Sequence, residues 1–134
     1  MSADTPLRVV VADDDALARR ATKYALEAVG MTVVAEAKDG REAVELALRH
    51  RPDIVVIDVV MPRLDGILAT RRILEADPGQ LVVVLTGVGE VELGLEALRA
   101  GAVEVVPKNA DLDVLTRAVE RARREDAPVS RASG

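Results

Sequence analysis

Ile54-Val55-Val56-Ile57-Asp58-Val59-Val60-Met61-Pro62-Arg63-Leu64-Asp65-Gly66 is the stretch whose reading decides the fold. Four β-branched residues run without alternation into a carboxylate, and a turn containing Pro and Gly follows at once. A run this short, apolar on both faces, reads as a parallel strand covered by helices on both sides. Asp58 then stands at the strand's open, carboxyl end. Two further runs end similarly: apolar residues 9–12 lead into Asp13-Asp14-Asp15, and the valine-rich residues 103–106 precede Lys108. Three strand ends that offer acid, acid and ammonium suggest phosphate chemistry.

Outward from this centre, short β-branched runs alternate with longer segments of helical period, the pattern of repeated βα units. Strands are predicted at residues 8–12, 32–36, 54–58, 81–85 and 103–106, and helices at 16–29, 41–49, 67–75, 91–99 and 112–124. Gly30 and Gly101 fall just past helix ends, Asp39-Gly40 makes a turn, and Pro52 and Pro78-Gly79 interrupt helices ahead of strands. The strands at 8–12, 54–58 and 81–85 are apolar almost throughout. The one at 32–36 alternates more, ends in Glu36 and suits a sheet edge. Right-handed crossovers make an open, doubly wound sheet the economical topology, with ligands bound beyond the carboxyl ends of the strands.

Bulk properties narrow the function. The 134 residues suffice for one domain with a real core and not for two ordinary ones. Eighteen basic against 23 acidic residues, net −5, argue against a nucleic-acid surface. The absence of Cys excludes disulfides, thiol catalysis and thiolate metal sites. Apolar runs such as residues 81–85 are far shorter than the roughly 18 residues of a membrane span, and the polar start has no signal-peptide core. The default expectation is a soluble cytoplasmic protein without membrane contact.

Carboxylates gathered at one sheet end repel one another unless a cation lies among them, and an all-oxygen set favours a hard ion such as Mg²⁺. Asp58, on the central strand, is the natural nucleophile toward phosphorus, forming an acyl phosphate. Lys108 would offer a cation to the phosphoryl oxygens, and the Thr86 hydroxyl a hydrogen bond. Plainer readings exist for each residue taken alone. Asp15 suits the N-cap of the first helix, which leaves Asp13 and Asp14 as the acid pair; Thr86 alone would be a loop hydroxyl and Lys108 a solvated cation. Their joint placement at strand ends favours a site.

The motifs Val11-Ala12-Asp13-Asp14, Asp58 through Gly66, Leu85-Thr86-Gly87, and Gly101-Ala102 followed by Lys108 resemble the receiver domain of two-component response regulators. The resemblance implies an α/β, flavodoxin-like fold. It is a doubly wound five-stranded parallel sheet, order 2-1-3-4-5, with five helices in three layers. It further implies that Asp58 is the phosphoacceptor, supplied by the phosphohistidine of a sensor histidine kinase. Asp13, Asp14, Asp58 and the Val60 carbonyl would hold Mg²⁺, and Thr86 and Lys108 would register the state of the site. The chain departs from the family pattern at two places. Val105 replaces the usual aromatic residue, so output must run through the loops and the helix at 91–99. Pro107 precedes the lysine instead of following it.

The expected domains are an extension over residues 1–6, a receiver over 7–125, and a disordered tail over 126–134 with no room for an output domain, as in a stand-alone or excised receiver. The function expected is phosphorylation-dependent switching of a protein partner in signal transduction. It is not an enzyme acting on a separate substrate, although it would catalyse its own phosphorylation and dephosphorylation. The alternatives are a phosphorylation-independent pseudo-receiver serving as an interaction module, and a small phosphohydrolase. The latter is weakened by Val60, which stands where such enzymes carry a second acid. Valines at 60 and 88 should place hydrolytic water poorly and prolong the aspartyl phosphate. Leu93, Leu95 and Leu98 are read mainly as core, His50 as a surface group, and the arginines at 117, 121, 123 and 124 as a solvated helix end without nucleic-acid contact. The downstream partner is unspecified, and the chain is expected to be a monomer or weak homodimer.

Overall fold

The computed structural model describes residues 5–133, with side chains described as far as Arg124. The described residues form β1 (Arg8–Ala12), α1 (Ala16–Ala28), β2 (Thr32–Ala37), α2 (Gly40–His50), β3 (Ile54–Asp58), α3 (Gly66–Ala76), β4 (Leu81–Thr86), α4 (Val91–Arg99), β5 (Glu104–Pro107) and α5 (Leu112–Ser133). The disordered tail expected over 126–134 lies outside the residues whose side chains are described, as does most of the extension expected over 1–6. The strands make one sheet in the order β2-β1-β3-β4-β5, parallel throughout. The flavodoxin-like architecture expected from the resemblance is therefore the one observed, with the alternating β2 at an edge.

Period-two alternation divides the core between the two faces of the sheet. Val9, Val11, Ile54, Val56, Val83 and Leu85 face Leu26 of α1 and Leu115 and Val119 of α5. Val10, Val55, Ile57, Val82 and Val84 face the other side, against Ala43 and Ala47 of α2, Ile67 and Ile73 of α3, and Ala97 of α4. This makes three layers. Every residue of β3 and β4 is buried, and each such valine or isoleucine contributes about 1.5–3 kcal/mol. Continuous apolar runs mean burial on both faces here, as the strand at 54–58 suggested.

Local signals account for most boundaries. Asp15 caps α1, its carboxylate accepting the N–H groups of Leu17 and Ala18. Gly30 and Gly101 take positive φ, at 93° and 115°, just past α1 and α4. Asp39-Gly40, expected as a turn, proves to be a helix start: Asp39 is the N-cap of α2, accepting the Glu42 N–H, and Gly40 is its first residue.

The leucines of α4 need a correction. Only Leu93 packs against the core, together with buried Gly94 and Ala97. Leu95 and Leu98 are 47% and 43% exposed, beside Val91 at 74%. Positions 91, 95 and 98 lie on one stripe of the helix, and the inner stripe is already filled by small residues. Tyr24, the chain's single aromatic residue, also lies outside the core, exposed on α1.

Candidate functional site

The order β2-β1-β3 makes β1 and β3 neighbours at the point where the winding of the sheet reverses, so the residues after each strand meet over one crevice. Asp13 follows β1, and its backbone N–H is tied to the Ala37 carbonyl at 3.0 Å. Arg19 clamps the Asp13 carbonyl from α1 at 2.7 Å, and Asp13 Oδ1 accepts the Asp15 N–H at 2.9 Å. Asp58 ends β3, in register with Leu85 of β4. Its Oδ1 accepts the Val60 N–H at 3.2 Å, and its Oδ2 accepts a hydrogen bond from Lys108 Nζ at 3.0 Å.

The sequence left the direction of Lys108 open, since Pro107 stands before it. Backbone pairing fixes it: Thr86 is opposite Pro107, the Lys108 N–H donates to the Thr86 carbonyl at 2.7 Å, and Val106-Pro107 is trans. The side chain then spans the crevice, its Nζ 3.0 Å from Asp58 Oδ2 and 3.0 Å from Asp13 Oδ2. The second contact is ionic only. Among the described residues, Asp13 Oδ2 is the one buried side-chain polar atom that accepts no hydrogen bond. Thr86 is buried at the end of β4, next to this array.

One base between two buried acids sets the electrostatics. Burial pushes the Asp58 carboxyl above its ordinary range; the Lys108 ammonium and the Val60 N–H oppose this, Asp13 adds to it, and the net shift is upward. Burial by itself would lower Lys108, but the two carboxylates outweigh it and the ammonium is held above its usual value. The two members of the pair thus move upward for different reasons, Asp58 chiefly by burial and Lys108 by its two acid neighbours.

Two acids of the crevice share the single Lys108 ammonium, and this excess of carboxylate suits a hard divalent cation. Oxygens of Asp13, Asp14 and Asp58 all lie within 4.8 Å of one another. Asp14 is exposed and completes the group from the solvent side. Val60 belongs to the same loop through its N–H contact with Asp58.

Sequence reasoning missed the clasp that holds this loop. Arg63, in the left-handed region at φ 68°, places its guanidinium 3.1 Å from Asp39 Oδ2 at the start of α2. Gly40 lies so close to the Leu64 carbonyl that any Cβ would collide with it, and Gly66 stands likewise against the Asp58 carbonyl. The Asp-Gly pairs at 39–40 and 65–66 were the available signal. Both are helix N-cap pairs with a close backbone approach.

The response regulator receiver domain family matches residues 9–120 of the chain. A protein-glutamate methylesterase/protein-glutamine glutaminase of Myxococcus xanthus is 46% identical over 119 residues, 84% of this chain and 34% of that protein. The chain thus spans about a third of that relative's length. Chemotaxis protein CheY of Bacillus subtilis is 33% identical over 114 residues, 85% of this chain and 95% of CheY. The CheX-CheY-BeF3-Mg complex structure from Borrelia burgdorferi matches with a TM-score of 0.81 at 28% identity, covering 85% of this chain and 87% of that one.

Proposed function

The chain belongs to the response regulator receiver domain family, and from that premise we propose that Asp58 accepts a phosphoryl group and thereby switches the binding of a protein partner. The observation that carries this reading is the position of Lys108 Nζ, 3.0 Å from Asp58 Oδ2 and from Asp13 Oδ2 at one end of the sheet. A solvated lysine would not be drawn into a crevice between two buried acids. The same observation disfavours a phosphorylation-independent interaction module, for which this buried charge would have no use.

In the proposed reaction an Asp58 oxygen attacks the phosphorus of a sensor kinase's phosphohistidine. The P–N bond breaks, its electron pair stays on the imidazole, and an acyl phosphate forms. Lys108 holds and orients the attacking carboxylate and meets the charge of the incoming phosphoryl oxygens. The Thr86 hydroxyl, adjacent at the end of β4, donates to one of those oxygens once they are in place. Asp13, Asp14, Asp58 and the Val60 carbonyl would hold Mg²⁺, which when bound neutralises charge on the transferring group. The chain would thus catalyse its own phosphorylation and dephosphorylation and act on no other substrate.

The exposed stripe of Val91, Leu95 and Leu98 on α4 offers a surface for the downstream protein partner. Monomer or weak homodimer is the assembly proposed, in the cytoplasm; among the described residues no helix is long and apolar enough to cross a membrane. The decisive test is intact mass after mixing with Mg²⁺ and acetyl phosphate. A single adduct of about 80 Da on the wild type, absent from Asp58→Asn and absent without Mg²⁺, is the expected result. No adduct on the wild type would overturn the reading.

A further inference from the structure

The loop at residues 59–65, which follows Asp58, is well tied at its ends. The Val59 N–H donates to the Leu85 carbonyl at 2.9 Å, and the Gly66 N–H returns to the Val59 carbonyl at 2.9 Å. Between these points the polar contacts are mostly local: the Val60 N–H donates to Asp58 Oδ1 and the Leu64 N–H to the Pro62 carbonyl. Among the described residues, one hydrogen bond joins residues 60–63 to a part of the chain beyond this loop and the strand before it. It runs from the Arg63 guanidinium to Asp39 Oδ2 at 3.1 Å.

Arg63 adopts φ 68°, a left-handed backbone that is costly for a residue with a Cβ and that glycine takes freely. What an arginine gains there is the contact with Asp39. The anchor it reaches is rigid: Asp39 is buried, its Oδ1 is held as the N-cap of α2 by the Glu42 N–H, and Gly40 beside it lies against the Leu64 carbonyl. The same corner holds the other acidic loop. The Asp13 N–H is bonded to the Ala37 carbonyl, and Arg19, clamped on the Asp13 carbonyl, is itself held by Glu36 at 3.1 Å. Residues 36–40 thus anchor both loops that bring acids to the crevice.

We propose that Arg63 is a positioning residue for the divalent cation: by gripping Asp39 it keeps the Val60 backbone beside Asp58, so that the loop is in place before an ion arrives. This rests on the reading of Asp13, Asp14, Asp58 and the Val60 carbonyl as the Mg²⁺ site of a phosphoacceptor. The Arg63 side chain is 66% exposed, and exposed ion pairs add little to overall stability. Its effect falls on binding. A loop without the clasp samples several arrangements, and affinity drops in proportion to the fraction that remains competent.

Calorimetric titration of the whole chain with Mg²⁺, paired with amide hydrogen exchange in metal-free buffer, tests this. Arg63→Met keeps the stem and removes the donors. It is expected to bind Mg²⁺ at least about threefold more weakly, while its metal-free melting temperature stays within about 2 °C of wild type. Its Leu64 amide should exchange at least about threefold faster, since the turn it closes opens more often. Asp39→Asn keeps an oxygen for the cap and turns an amide toward the guanidinium; it should weaken binding similarly, and the double variant should lie within about twofold of Arg63→Met alone. Arg63→Lys, which restores the cation, should return the affinity to within about twofold of wild type. Wild-type Mg²⁺ affinity in Arg63→Met overturns the proposal, as do additive losses in the double variant, an unmoved Leu64 amide or no recovery with lysine. A melting temperature that falls in step with the affinity makes the role structural and overturns it too. A wild type that binds no Mg²⁺, or whose binding survives Asp13→Asn, removes the reading of the site itself.

Discussion

Asp13 and Lys108 meet at 3.0 Å between Oδ2 and Nζ, yet this carboxylate oxygen, wholly buried, accepts no hydrogen bond. The lysine is aligned on Asp58 and only near Asp13, so one cation serves two acids. Removing it leaves two buried carboxylates facing each other. Lys108→Ala is expected to lower stability by about 2 kcal/mol in the absence of divalent ions, less than for a fully buried pair because the lysine is partly exposed. Urea denaturation at pH 7 measures this, and the loss should shrink as acid protonates the carboxylates. An unchanged midpoint would show that the pair is electrostatically idle.

Mg²⁺ should stabilise the fold by linkage, since it binds the assembled acids and not the unfolded chain. At a concentration ten times its dissociation constant the gain is about 1.4 kcal/mol, or a melting temperature higher by about 3–5 °C for a chain of this size. Asp13→Asn should abolish the shift. The gain also depends on pH: protons compete with the ion for the Asp58 carboxyl, raised by burial, so the stabilisation fades as pH falls through that raised range. Equal shifts in wild type and Asp13→Asn would rule this crevice out as the binding place.

Gly66→Ala sets a Cβ against the Asp58 carbonyl and 2.8 Å from Val59 Cα, both backbone atoms that cannot turn aside. A cost of at least about 2 kcal/mol is expected. The displaced loop should also weaken Mg²⁺ binding in whatever folded protein remains, measured by calorimetry. Native stability together with native Mg²⁺ affinity would contradict the close approach.

Val60 and Val88 are exposed but carry apolar side chains, so neither side chain offers a hydrogen bond to a water near Asp58. Val60→Asn should speed loss of the phosphoryl group severalfold, followed by intact mass after the donor is removed. A variant that decays no faster than wild type would show that the apolar side chains at 60 and 88 do not slow hydrolysis.

Glu36 accepts hydrogen bonds from Arg19 and Lys23 at 3.1 and 3.4 Å. Burial alone would raise its carboxyl, but the two cations outweigh burial and hold it below the ordinary value. A depressed acid adds stability above its unfolded pKa and loses it as pH falls through the folded one. Glu36→Gln should therefore cost about 0.5 kcal/mol at pH 7, as befits exposed pairs, and nothing in strong acid. A constant deficit across the acid limb would mean that packing, not charge, is lost.

The strand at 54–58, the edge character of 32–36 and the cap at Asp15 were legible because each rests on local chemistry: unbroken β-branched residues, alternation, or a carboxylate one step before a helix. The acids were legible as strand-end residues. The direction of Lys108 was not, because it is set by pairing with Thr86 across strands separated by a whole helix. Nor was the exposure of Leu95 and Leu98: α4 is apolar on both sides, and only contact with the sheet reveals which side is covered. The Asp39–Arg63 clasp joins residues 24 apart, and the Asp-Gly pair that announced it looked like an ordinary turn.

Tyr24, exposed on α1, is the chain's sole aromatic side chain. The crevice around Asp58 is therefore optically silent, with no native ring to be quenched or brightened by an occupant. That silence is an experimental advantage. A single tryptophan at exposed Val60 would be the molecule's only indole, and every change in its emission could be assigned to the loop beside the acids without subtracting a background.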